Sequence, residues 1–206
     1  MASYPLGYPA APWRLRGQLW LSLFRVTGGA GRSAGRPDGL YGAAFVSYEP
    51  GGSLDYSELL LARPVSSAEH GRRVRITDIW VDSPASMAGG RELWAIPKGL
   101  CDFTLETSHV GPVSRTEWAA SADRRPIARA RFTDVSRAAV RLPFRSGLWQ
   151  PGIDGGGPRT ASLRGSSRTL PCRGHWEFAP DGPLGWLAGR RPAASLRMTD
   201  FRLSFG

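Results

Sequence analysis

The sequence predicts a mainly β protein, an antiparallel barrel or sandwich with few short helices. Three observations lead there. Short apolar segments recur along the 206 residues, separated by clusters of glycine, proline and aspartate. Helical periodicity is confined to one short stretch, and no repeat or heptad occurs. Eight Trp and eight Phe within a 41% hydrophobic chain are enough to build a packed core.

Taken in order, the chain opens on a proline-rich extension over about residues 1–13. Residues 18–26 (QLWLSLFRV) then read as a strand. Residues 27–39 form a loop broken by glycine, proline and aspartate. Residues 40–48 (LYGAAFVSY) are a second strand, closed by EPGGS, and 54–64 are apolar and partly buried. Residues 73–81 (RVRITDIWV) alternate, with Val74, Ile76 and Trp80 turned away from Arg73, Arg75 and Thr77, and the period slips near the end. In SPASMAGGRELW, Ser83 and Pro84 either cap a short helix from Ser86 to Arg91, or Gly89-Gly90 ends a turn. Further strands are expected at 101–109, 114–120, 127–133, 159–164, 173–178 and 195–205. Residues 145–159 read as a long loop. No linker composition divides the chain, so a single domain over 1–206 is expected.

Composition limits the function classes. The formal charge of +10 is spread along the chain without a dense basic tract, and no nucleic-acid-binding motif accompanies it, which argues against a nucleic-acid partner. No run of 18 apolar residues exists, so no spanning helix is expected. The N-terminal prolines interrupt any secretory leader, and two cysteines, Cys101 and Cys172, fit a reducing cytoplasmic setting. No HExxH, CxxC, glycine-rich dinucleotide loop or phosphate-binding loop occurs, so neither metal nor cofactor is expected. His70 reads as a solvated turn residue, His175 as a half-buried strand residue, and Cys101 as a small core residue.

One feature of the charge is sharper. Of 27 positive side chains, 26 are arginine and one is Lys98. An exposed cation tolerates exchange between the two types, whereas a nucleophilic amine does not, because guanidinium stays protonated. Lys98 lies between Leu93-Trp94-Ala95-Ile96-Pro97 and Gly99-Leu100-Cys101. Pro97 keeps Ile96 out of helical space and sets the approach to Lys98. Burial among such neighbours disfavours the ammonium form and frees an amine able to attack a carbonyl. The bland alternative is a lysine that snorkels from a strand end.

The segment GGRELWAIPKGL resembles the GRE-x4-PK element of the acetoacetate decarboxylase family. LDYSELL resembles that family's Tyr-x-Glu segment, and YPAAPWRLRGQLWLSLFRV its N-terminal entry strand, so the likeness covers roughly residues 8–103. The resemblance implies a cone-like, largely antiparallel β-barrel that assembles into homo-oligomers. It implies that Lys98 forms a Schiff base with a small anionic keto acid, with Glu58 orienting substrate or relaying a proton. Decarboxylation, aldol or dehydration chemistry would all pass through the same imine. Tyr56, Arg91, Glu92 and Trp94 are supporting or pocket candidates by the same likeness. Two departures stand out. Gly99 occupies the place of a second lysine in the classical enzymes, and the position of their N-terminal active-site arginine falls on Gly17, with Arg16 beside it. The competing expectation is a non-catalytic small-molecule-binding or structural protein on the same fold.

Overall fold

The computed structural model describes residues 7–27, 36–67, 69, 71–135 and 139–206. Twelve strands and one α-helix are found among them: β1 (Trp13–Val26), β2 (Gly39–Tyr48), β3 (Tyr56–Ser67), β4 (Gly71–Val81), α1 (Pro84–Trp94), β5 (Lys98–Leu100), β6 (Asp102–Val110), β7 (Val113–Ala122), β8 (Arg125–Asp134), β9 (Val140–Gln150), β10 (Arg159–Pro171), β11 (Arg173–Phe178) and β12 (Ala194–Phe205). A 3-10 turn, Gly185–Leu187, precedes β12.

Seven strands close on themselves in the order β3-β2-β1-β12-β10-β9-β4, with β4 pairing back to β3, and β5 adds to β4. This is the mainly β barrel expected from the sequence. Its neighbours are antiparallel except for the β4–β5 pair and a single β4–β9 bridge at Val74 and Leu148. A second sheet of order β11-β8-β7-β6 covers part of the barrel.

Strand alternation sorts the core into two compartments. On β1, Trp13 and Leu15 point into the barrel, while Trp20, Phe24 and Val26 have the opposite parity and meet the second sheet. On β2 and β3, Tyr41, Phe45, Leu59 and Leu61 join that inter-sheet core, while Tyr48, Tyr56 and Leu60 face inward. Phe45 stacks between Trp118 and Trp176, with centroids 5.1 Å away on either side. The buried Arg197–Asp134 pair, 2.8 Å apart, ties β12 to β8 across the two sheets.

Several sequence expectations are corrected here. Trp80 lies on the inter-sheet side, opposite Ile76, because a bulge interrupts β4: Leu61 pairs with Asp78 and Ala62 with Ile76, leaving Thr77 as the extra residue. The long loop expected at 145–159 shrinks to 151–158, since β9 runs to Gln150, paired with β10 from Arg159 to Thr169. Pro143 is tolerated because the other side of β9 carries only the bridge at Leu148. At the end of the proline-rich segment Tyr8 and Trp13 belong to the barrel core, and the Trp13 indole donates to the Pro9 carbonyl. His175 is exposed rather than half-buried, 3.6 Å from Glu177. His70 lies outside the described residues.

Candidate active site

The site is built by α1 and the short return that follows it. Ser83 caps the helix, its Oγ accepting from the Ser86 amide, and Pro84 occupies the first turn, where its missing N–H costs nothing. Gly89 and Gly90 sit inside the helix instead of ending a turn. Both are required by close packing. A Cβ on Gly90 would lie 2.8 Å from Cδ and 2.9 Å from Cε of Lys98, and one on Gly89 would lie 2.6 Å from Trp13. The helix stops at Ala95, which is left-handed (φ 53) and donates its N–H to the Arg91 carbonyl, while Ile96 N–H reaches the Gly90 carbonyl. The chain then doubles back, and Lys98 enters β5 with its stem laid across the glycine face of α1.

Lys98 is 4% exposed. Its Nζ donates to Ser86 Oγ at 2.9 Å, to Glu58 Oε2 at 3.0 Å and to Tyr56 Oη at 3.3 Å. Three donors meeting three acceptors, one of them a carboxylate, suit the ammonium form. Glu58 also accepts from the Tyr48 hydroxyl at 3.3 Å. Tyr48 and Tyr56 face each other across the β2–β3 hairpin, their rings 4.4 Å apart. Burial, reinforced by the Glu58 carboxylate, pushes both phenols well above the usual tyrosine range, so both remain protonated donors.

These groups open on a cavity of about 90 Å³ inside the barrel, walled by Trp13, Trp94 and Phe205 and by aliphatic side chains of β1, β3, β4, β10 and β12. Trp94 packs edge-on to both Trp13 and Phe205, at 4.8 and 4.5 Å. Phe45 and Trp80 belong to the inter-sheet core, Trp149 is half-buried outside the cavity, and Trp94 lines it.

The residues singled out from sequence thus divide. Lys98, Glu58, Tyr56 and Trp94 converge on the cavity. Arg91 and Glu92 do not, because Ser86, Gly90 and Trp94, four residues apart, form the inner face of α1 and the next two positions rotate outward. Arg91 pairs with Asp154 at 2.8 Å and donates to the Lys98 carbonyl at 3.4 Å, which holds the backbone of Lys98 rather than a ligand. Glu92 is exposed and accepts from the Tyr8 hydroxyl, an interaction that raises the Tyr8 ionisation. Arg16 is exposed on the outer face, with Arg14, by the strand alternation that turns Trp13 and Leu15 inward. Gly17 has no room for a side chain: at φ 152 a Cβ would lie 1.9 Å from the Ser47 carbonyl oxygen. Gly99 lies on the other side of β5, its Cβ direction aimed at Trp80.

Two participants escaped the sequence reading. Ser86 is fully buried, and its only advance sign is the four-residue spacing to Gly90 on a capped helix. Tyr48 could be found from the hairpin register that sets it opposite Tyr56.

A closed barrel with one buried lysine paired to a carboxylate at the edge of an apolar cavity defines a class of β-barrel protein organised around an amine. The family model for acetoacetate decarboxylase (ADC) matches residues 36–169, well over half the chain. The protein belongs to the acetoacetate decarboxylase family. No curated protein matches it. Among solved structures, it is similar to the enduracididine biosynthesis enzyme MppR complexed with pyruvate (19% identity, TM-score 0.70, covering 96% of this chain and 89% of that one). It is also similar to acetoacetate decarboxylase from Legionella pneumophila subsp. pneumophila str. Philadelphia 1 (16%, 0.65, 99% and 88%). A third similar structure is an acetoacetate decarboxylase-like enzyme from Sphingomonas wittichii RW1 (16%, 0.60, 97% and 92%). At these identities the structural likeness speaks for the fold. Among the described residues no helix is long and apolar enough to cross a membrane.

Proposed function

We propose that the protein is a Schiff-base enzyme of the carbon–carbon lyase type, with Lys98 as nucleophile and Glu58 as its proton partner. The observation that carries this reading is the single lysine of the chain, 4% exposed, held 3.0 Å from a buried carboxylate beside a mainly apolar cavity. Transfer of one proton from Nζ to Glu58 yields a neutral amine without moving charge through solvent. The amine attacks a substrate carbonyl carbon, water leaves, and a protonated imine forms. That imine draws the electron pair of an adjacent breaking bond, giving an enamine. Glu58, whose first proton left with the carbonyl oxygen as water, takes up a proton from solvent and delivers it to carbon, and hydrolysis regenerates Lys98. Loss of carbon dioxide from a keto acid, aldol cleavage and dehydration share this intermediate. Tyr48 and Tyr56, kept protonated by burial, hold Glu58 and Nζ in register.

Borohydride reduction in the presence of a carbonyl ligand tests the nucleophile. The expected product carries the ligand mass on the peptide containing Ile96-Pro97-Lys98-Gly99, and Lys98→Arg abolishes it while retaining the charge. The N-terminal amine, with an ordinary pKa near 8, is the competing target and is resolved by peptide mapping. The non-catalytic binding reading has one observation in its favour: all three Nζ hydrogens are already engaged. Labelling confined to the N-terminus between about pH 6 and 9 selects that reading.

A further inference from the structure

Among the described residues, no second cation lines the cavity around Lys98. Among the described residues lining it, the charged groups are Lys98 and Glu58, which neutralise each other at 3.0 Å. The remaining wall is apolar apart from the two tyrosine hydroxyls, with Leu15, Leu60, Ile76, Leu163, Leu203 and Phe205 around the space. The nearby arginines are turned elsewhere. Arg14 and Arg16 alternate outward on β1, Arg91 is committed to Asp154, and Gly17 beside Arg16 admits no side chain.

A charge count follows from this lining. With an uncharged ketone, ammonium and carbonyl become iminium and water, the Glu58 carboxylate stays opposite the iminium, and the site remains neutral. With a keto acid, the same condensation leaves iminium, Glu58 carboxylate and substrate carboxylate, one negative charge in excess in an apolar chamber. Neutrality then requires an extra proton from solvent. Size points the same way. An apolar protein cavity of about 150 Å³ holds benzene, with six heavy atoms. The roughly 90 Å³ here scales to about four, the size of acetone or propanal.

We infer that the ligand of this site is a small uncharged ketone or aldehyde, activated as its enamine, and not a carboxylate-bearing keto acid. The inference rests on the Schiff-base reading of Lys98 and narrows it. The chemical step balances without any added reagent. Glu58 removes a proton from the carbon beside the iminium, the C–H electron pair forms the enamine double bond, and the iminium nitrogen becomes neutral. Return of a proton to carbon and hydrolysis release the original ketone. In heavy water the returned proton is deuterium, so the reaction is visible as α-hydrogen exchange.

The test uses the full chain with acetone, butanone, propanal, pyruvate and acetoacetate at equal concentration. Two readouts are followed: borohydride trapping on the Lys98 peptide, and α-deuterium incorporation into acetone by proton NMR. The expected result is trapping of the uncharged compounds at least about tenfold above the keto acids. Deuterium exchange into acetone should run about 10²-fold faster than with Lys98→Arg. Keto-acid trapping should rise as pH falls, and ketone trapping should show no such proton uptake. Leu163→Arg, at a half-buried wall position, supplies the missing cation and should erase the preference. Keto acids trapped at Lys98 as well as or better than ketones would overturn the assignment of ligand while leaving the Schiff base standing. An unchanged preference in Leu163→Arg would likewise overturn it, since charge would not be the cause. Absence of any label at Lys98 would sink the Schiff-base reading and this inference with it.

Discussion

The two hydrophobic clusters of this protein are built from similar residues and serve opposite ends. The inter-sheet core is closed. Phe45, Phe24, Leu59, Leu61 and Phe132 are wholly excluded from solvent, and Phe45 is sandwiched between indoles at 5.1 Å. The barrel interior is left with a hole of about 90 Å³ and with four buried polar side chains, Lys98, Glu58, Tyr56 and Ser86, beside it. Dense packing removes voids because each one forfeits contacts. A maintained cavity with a satisfied ion pair is therefore a cost that stability alone does not explain. The inter-sheet core carries the opposite compromise: the indole nitrogens of Trp20, Trp118 and Trp186 have no hydrogen-bond partner, accepted where the gain is packing. One compartment is packed shut and the other keeps a buried amine and its carboxylate beside a cavity.

That contrast is open to attack by substitution. Phe45→Ala removes the centre of the inter-sheet stack and should cost about 3–5 kcal/mol, read from urea unfolding, while Lys98 trapping in the protein that remains folded is unchanged. Equal loss of trapping would show that the two compartments are not separable. Next in size is Glu58→Gln, which preserves an acceptor for Nζ and removes the proton acceptor. Carbonyl exchange should slow by about 10²-fold with the far-UV spectrum intact. Gly90→Ala sharpens the comparison further. Alanine in a helix ordinarily stabilises by up to about 1 kcal/mol, but here its methyl group collides with the Lys98 stem. Reactivity at Lys98 should fall about tenfold with little change in unfolding midpoint, the reverse of Phe45→Ala.

The smallest effect is in alkaline solution. Burial pushes the Cys101 and Cys172 thiols up to about 12, while the unfolded chain ionises them near 9. The folded state thus holds these protons more tightly. Their contribution to stability is complete below about pH 9 and fades as the pH climbs toward 12. Tyr48 and Tyr56, held above the ordinary tyrosine value near 10, add to the loss from about pH 10 upward. Urea midpoints should be flat from pH 7 to 9 and decline above, and thiol reagents should label neither cysteine of the native protein at pH 8.

Much of this was legible in the chain itself. Alternating apolar segments and glycine-proline punctuation carry the β architecture, because a period of two is local and survives without tertiary context. Lys98 stood out through composition, as one lysine among 26 arginines in an apolar segment. Glu58 and Tyr56 were reachable through the Tyr-x-Glu segment, since strand alternation puts residues two apart on one face. What the chain could not reveal was decided by packing. Whether Gly89-Gly90 ended a turn or sat inside a helix depended on Trp13 and the Lys98 stem, which approach from distant segments. Arg91, Glu92 and Arg16 sit close to the site in sequence but outside it in space, because their orientation follows from helix phase and strand parity relative to a closed barrel. Trp80 changed sides through a bulge at Thr77 whose cause lies in the pairing with β3. Charge balance inside the cavity is of the same kind. The sequence holds 27 positive side chains, and only the closing of the barrel determines that, among the described residues, Lys98 alone of them lines the cavity.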